Sequence, residues 1–201
     1  ATRPLRVRHL RDLGVRPGDV VALKLANRIE FVVLLFAAWR IGAVVTPINP
    51  SLTEGEVDRQ LTDSGARLLV TEGTTSHERV TTIAGRNLCQ SVDWPDLPVA
   101  PDPSALALLI YTSGTTGVPK GVMLDHANVD AMAAMGRDAL ELGPADRCLL
   151  ILPLFHVNGI VVTGLGNWIA GAHVLLAGAQ GYRSPKLLPG FWKLVERYRV
   201  T

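Results

Sequence analysis

Residues 109–121 read Leu109-Ile110-Tyr111-Thr112-Ser113-Gly114-Thr115-Thr116-Gly117-Val118-Pro119-Lys120-Gly121. An apolar strand, Leu106 to Tyr111, runs into Thr112 to Gly117, a segment with two glycines and four hydroxyls, and a second extended piece from Gly121 to Leu124 follows. Backbone amides and hydroxyls of such a loop can converge on one anion, which makes it a phosphate cradle. The glycines let the backbone approach phosphate oxygens closely, and Lys120 adds a mobile positive charge for the more distal phosphates. The spacing is neither that of a Walker loop nor that of the dinucleotide turn Gly-x-Gly-x-x-Gly. A plain Ser/Thr/Gly linker is the alternative, but linkers seldom lie directly between an apolar strand and a Pro-Lys-Gly-Val segment.

Upstream of this stretch, strand and helix signals alternate, the pattern of a layered α/β fold with mostly parallel sheets. Pro17-Gly18-Asp19 is a turn that launches a strand from Val20 to Leu25. A helix follows from Arg28 to Arg40, apolar on nearly every side and therefore expected to be buried. Gly42 ends it, and Ala43 to Ile48 reads as the next strand. Thr53-x-x-Glu56 is a capping box opening a helix to Ser64, Gly65 is its left-handed cap, and Ala66 to Thr71 is a third strand. Four prolines and three aspartates between Ser91 and Pro103 mark a surface connection.

Downstream, a helix is expected from Asn128 to Leu140, strands at Leu149 to Leu154 and His173 to Leu176, and a helix between them from about Asn158 to Ala170. A last helix spans Pro185 to Tyr198, with Trp192, Leu194 and Val195 on its packing side. No internal repeat is present, which excludes solenoids. From Cys148 to Tyr182 there is no Asp, Glu, Lys or Arg, but prolines, glycines, asparagines and His156 cut this stretch into pieces that suit a buried α/β core better than a membrane span.

Composition sets the bounds. The 201 residues are 48% hydrophobic and 19% charged, ordinary for a globular protein with a substantial core. A net charge of +2, from 20 basic and 18 acidic residues, provides no field for holding nucleic acid or an anionic membrane. Arg3, Arg6, Arg8, Arg11 and Arg16 lack interleaved aromatics and read as a solvated helix face. Cys89 and Cys148 match no zinc or redox spacing and read as buried thiols, which favours a reducing cytoplasm. The first 15 residues carry no continuous apolar stretch, so no signal peptide is expected.

Tyr111 to Gly121 resembles, throughout its length, the phosphate-loop signature of the adenylate-forming superfamily that includes acyl-CoA synthetases and aryl-CoA ligases. The resemblance extends to Gly121-Val122-Met123-Leu124-x-His126-x-Asn128, where Asp125 replaces the more usual Ser or Thr and is expected to cap the helix that follows. It includes Pro153-Leu154-Phe155-His156-Val157-Asn158-Gly159, similar to the family motif beside the acyl pocket and the reacting carboxylate. Gly14-Val15-x-Pro17-Gly18-Asp19 and Gly42 to Pro50 resemble its N-terminal scaffold.

By this resemblance Thr112, Ser113, Gly114, Thr115, Thr116, Gly117 and Lys120 bind the ATP phosphates, and His156 is the catalytic candidate. Phe155, His156, Val157 and Gly159 shape the acyl or coenzyme A channel. No protein metal ligand is singled out. The implied cofactors are ATP, Mg2+ and coenzyme A as acceptor. The implied reaction activates a carboxylic acid, a fatty acid by expectation, to acyl-AMP and then acyl-CoA. The chain is expected to form an incomplete N-terminal domain, with residues 1–103 as a first lobe and 104–201 as the phosphate-loop and acyl-site portion. The family's later adenine and ribose motifs and its mobile C-terminal domain find no match, so weak or absent turnover is expected of this polypeptide. The alternative is a truncated, noncatalytic nucleotide-binding or regulatory module. No nucleic-acid or transmembrane role is expected, and apolar surface left open would promote homo-oligomers.

Overall fold

The computed structural model describes residues 7–72, 81–84, 102–112 and 119–201. Cys89 and the part of the surface connection from Ser91 to Pro101 lie outside the described residues. The chain forms two compact units, one of residues 1–25 and 29–126, the other of residues 26–28 and 127–201.

In the first unit a short helix α1 (Val7–Asp12) precedes β1 (Val20–Lys24), α2 (Ile29–Arg40), β2 (Val44–Pro47), α3 (Glu54–Ser64), β3 (Ala66–Thr71), β4 (Thr81–Ala84), β5 (Leu106–Thr112) and β6 (Lys120–Asp125). Among the described residues these strands make one six-stranded sheet in the order β4-β3-β1-β2-β5-β6. All neighbours pair in parallel except β5 and β6, which are antiparallel. The central strands read as apolar runs because both of their faces are covered: Val21, Ala22, Leu23, Val45, Leu68, Val70 and Leu108 are all buried. The expected layered α/β fold with mostly parallel strands is therefore present.

Helix α2 is buried along most of its length through Phe31, Val32, Leu34, Leu35, Ala37 and Ala38, as its uninterrupted apolar pattern requires. Each large side chain there contributes about 1.5–3 kcal/mol. Gly42, at φ 74°, reverses the chain beside Pro17, which a Cβ would meet at 3.2 Å. At the start of α3 the Thr53 N–H and hydroxyl both donate to the Glu56 carboxylate, at 2.8 and 2.7 Å, and these bonds hold that carboxyl below its usual range. Gly65 closes the helix at φ 61°. Arg16 lies in a turn and not on a helix face, its backbone N–H donating to Asp19 Oδ2 at 2.8 Å.

The second unit holds α4 (His126–Ala139, from its second residue), β7 (Arg147–Leu150), a π-helical segment (Asn158–Leu165), α5 (Gly166–Ile169), β8 (His173–Leu176), a 3-10 turn (Gly181–Arg183) and α6 (Leu187–Tyr198). β7 and β8 pair in parallel from Arg147↔His173 to Leu150↔Leu176. Helix α4 begins two residues before the expected Asn128, directly after Asp125.

Several expectations are corrected here. The strand expected to Leu154 ends at Leu150, because Pro153 offers no N–H and the Ile151 and Leu152 carbonyls accept from Tyr182 N–H and the Asn27 amide instead of a strand. The stretch from Asn158 to Leu165 is wound as a π-helix. There the Thr163 hydroxyl donates back to the Gly159 carbonyl at 3.0 Å, and Asn167 Nδ2 donates to the Val162 and Thr163 carbonyls, both competing with the regular α ladder. Trp192 is 77% exposed and so is not on the packing side of α6, whose buried residue is Leu187. Cys148 is half-buried, not fully buried, and burial pushes its thiol upward in pKa. No described helix is long and apolar enough to cross a membrane.

Candidate phosphate-loop and carboxylate sites

In the first unit the stems of the candidate phosphate loop are the ends of a two-stranded antiparallel ribbon. Tyr111 pairs with Gly121 and Thr112 with Lys120, so the last residue before the loop and the lysine after it stand side by side. Both Thr112 and Lys120 are exposed. Ser113, Gly114, Thr115, Thr116 and Gly117 lie outside the described residues.

The ribbon is fixed to helix α3 at two levels. Gln60 is buried, and its Nε2 donates to Thr46 Oγ1 at 3.0 Å and to the Pro47 carbonyl at 3.1 Å. Thr46 in turn donates to the Leu109 carbonyl at 2.9 Å, so a buried polar relay runs from α3 through β2 to β5. One helical turn after Gln60, Asp63 Oδ2 accepts from the Tyr111 hydroxyl at 2.5 Å. Burial first, and then the Asp63 carboxylate as acceptor and as charge, push the Tyr111 phenol far above its ordinary value. Tyr111 is thus a permanent donor, and the residue that opens the loop is held by a charge-assisted bond.

Gly121 makes that arrangement possible. A Cβ there would lie 2.9 Å from Leu109 Cδ1 and 3.2 Å from Tyr111 Cζ, so the bare backbone leaves room for the phenol to reach α3. The glycine after Lys120 therefore has a packing role of its own. Near the start of β5, Trp39 Nε1 donates to the Ala107 carbonyl at 2.8 Å, and its ring meets His126 edge-on with centroids 5.5 Å apart.

In the second unit Phe155, His156, Val157 and Gly159 occupy one tight turn. His156 N–H donates to the Pro153 carbonyl at 3.1 Å, and the Gly159 and Ile160 amides donate to the His156 carbonyl. His156 is exposed, and its Nδ1 accepts from the Asn158 amide at 3.2 Å. An Nδ1 that accepts leaves the proton of the neutral imidazole on Nε2, which is then a donor for a carboxylate oxygen. Phe155 and Val157 are half-buried, and Gly159 is buried where a Cβ would collide with the Pro153 carbonyl oxygen at 2.1 Å. Gly159 must be bare for the turn to close.

Asn27 holds this turn from its other flank. It is buried, its Nδ2 donates to the Leu152 carbonyl at 2.8 Å, and its Oδ1 accepts from the Leu154 amide at 2.8 Å. Its own N–H donates to the Ala179 carbonyl at 3.1 Å. An asparagine amide is used here as a strand would be, with one donor and one acceptor spent on alternate residues around Pro153. Asn27, Gln60, Asp63 and Thr46 carry no motif of their own. For Asn27 and Thr46 the one signal was a polar residue next to apolar ones, as in Leu25-Ala26-Asn27 and Val45-Thr46-Pro47; Gln60 and Asp63 lie in a polar helix and gave none.

Comparison with known proteins matches residues 8–201 to the family model described as AMP-binding enzyme. The chain is 34% identical to the oxalate–CoA ligase of Arabidopsis thaliana over 94% of its length and 40% of that protein. It is 35% identical to 4-coumarate-CoA ligase 1 of Narcissus pseudonarcissus, covering 96% of this chain and 38% of the relative. Among solved structures, O-succinylbenzoate coenzyme A synthetase from Bacillus subtilis, in complex with ATP and magnesium ion, superposes with a TM-score of 0.81 at 30% identity. That superposition covers 97% of this chain and 52% of the synthetase, while the two plant relatives are spanned over 40% and 38% of their lengths.

Proposed function

Because the chain belongs to the AMP-binding enzyme family, we propose that it supplies the phosphate-binding and carboxylate-facing parts of an ATP-dependent, AMP-forming acid–thiol ligase. The observation that carries this is the β5–β6 ribbon, which sets exposed Thr112 beside exposed Lys120 at the two ends of the Ser/Thr/Gly loop. A hydroxyl and an ammonium in that placement suit a triphosphate, with Lys120 as the mobile charge and the loop, Thr112 to Gly117, as the cradle.

In the proposed reaction a carboxylate oxygen bonds to the α-phosphorus of ATP as the bond to the pyrophosphate leaving group breaks. The thiol of coenzyme A then bonds to the acyl carbon, AMP departs, and the thiol proton is released. Magnesium carried on the phosphate oxygens would neutralise charge as pyrophosphate leaves. Lys120 binds and screens the distal phosphates. His156, its Nδ1 engaged by the Asn158 amide, orients the carboxylate through Nε2–H, and Phe155, Val157 and Gly159 border the acyl or coenzyme A path.

The names of the relatives, which refer to oxalate, 4-coumarate and O-succinylbenzoate, support a carboxylic acid substrate without singling out a fatty chain. A cytoplasmic setting is supported by two cysteines whose spacing matches no zinc or redox motif. The test is heteronuclear NMR of the chain during titration with Mg·ATP. Shifts of the Thr112 and Lys120 amides with ATP and with pyrophosphate, but not with adenosine, support the reading. Shifts confined to other residues, or none at saturating nucleotide, overturn it.

A further inference from the structure

Arg183 closes the 3-10 turn Gly181–Arg183, exposed, with its guanidinium carbon 5.9 Å from the centroid of the Phe155 ring and 5.9 Å from that of Tyr182. A guanidinium against aromatic faces keeps its N–H groups at the edge, free to donate. Among the described residues Arg183 makes no ion pair. The sequence has no Asp or Glu between Asp146 and Glu196, while exposed Lys186 follows three residues later. The local charge is therefore positive and uncompensated along this part of the chain.

The mount is rigid. Tyr182 N–H donates to the Ile151 carbonyl at 2.9 Å, and Gly181 sits so close to that carbonyl that a Cβ would be 2.2 Å from its oxygen. The same backbone is tied through Asn27, which bonds Leu152, Leu154 and Ala179. Arg183 is thus held on Phe155, the residue before His156, by the knot that shapes the His156 turn.

We propose that Arg183, seated on Phe155, is an anion subsite that binds a second charged oxygen group of a ligand at the His156 turn, a carboxylate or a phosphate. This rests on the carboxylate-facing role given above to that turn. Two sources share the chemistry: the distal carboxylate of a dicarboxylic acid substrate, and a phosphate of coenzyme A. A fork of parallel N–H donors suits either, and a site built around it discriminates strongly against a ligand lacking the charged group.

The experiment uses the intact chain and follows the Arg183 Nε–Hε and Phe155 signals by NMR in two arms. One arm titrates straight-chain dicarboxylates from oxalate to adipate against monocarboxylates of matching length. The other titrates coenzyme A against pantetheine. The subsite predicts that the charged member of one arm binds ~10-fold or more tightly than its partner, the scale of one charge-assisted bond. Arg183→Gln should abolish that gap, and Phe155→Leu should narrow it with the arginine still present. The arm that shows the gap identifies the source. No gap in either arm, or a gap that survives Arg183→Gln, overturns the subsite. A parallel Mg·ATP titration of the unaltered chain separates the two claims: a gap without ATP binding removes the ligase reading and keeps the subsite, and ATP binding without a gap does the reverse.

Discussion

At the scale of single residues, the polar groups that matter are those whose hydrogen-bond partners lie in the core. Thr46 both accepts from Gln60 and donates to the Leu109 carbonyl in the core beneath the phosphate-loop stem. Thr46→Val keeps the shape and removes both bonds, and denaturant unfolding should register a loss of about 1–3 kcal/mol. His126 gives a pH signature. Burial lowers its pKa from the ordinary value near 6.5, against a smaller opposing pull from Asp125. The unfolded chain therefore binds this proton more readily than the folded one, so the stability His126 contributes is present above its unfolded pKa and is lost as pH falls through the folded value. Thermal unfolding followed by tryptophan fluorescence should show a midpoint that drops on acidification below neutrality, and His126→Phe should flatten that drop. Of these residues His126 stood inside a recognisable motif, but Thr46 and Gln60 did not. Their pairing is a contact between β2 and α3 that no local pattern encodes.

Elements were legible where their ends carried chemistry. The capping box at Thr53 and Glu56, the left-handed Gly65 and the alternation of apolar runs placed α3, β3 and β8 at the expected residues. The boundaries that moved did so for side-chain reasons: β7 stopped early because Asn27, distant in sequence, takes the Leu152 carbonyl, and Thr163 and Asn167 rewound the helix that follows. The amphipathic pattern of α6 identified a helix correctly but assigned Trp192 to the wrong face. The π-helical entry depends on Gly159, whose Cβ position lies against the Pro153 carbonyl. Gly159→Ala should therefore cost about 1–3 kcal/mol through forced backbone movement. Near-ultraviolet circular dichroism of the variant should change, since the displaced turn carries Phe155.

For the molecule as a whole, composition excluded disorder and a strong nucleic-acid field, and the strand-helix alternation set the mostly parallel sheet. The first compact unit runs through His126 and the second takes up the chain from Ala127. The antiparallel pairing of β5 with β6 carries the stems of the candidate loop into the first unit's sheet. No motif named the acid of the proposed reaction, and contacts between distant segments, such as that of Asn27 with Leu154, carry no local sequence pattern. Calorimetric titration of Mg·ATP into the chain and into Lys120→Ala measures whether the β5–β6 ribbon presents the proposed triphosphate site. Saturable binding should be seen, weakened ~10- to 100-fold in the variant by the loss of one charge-assisted contact. Equal affinity of both proteins for Mg·ATP, or no binding by the folded unaltered chain, would contradict it.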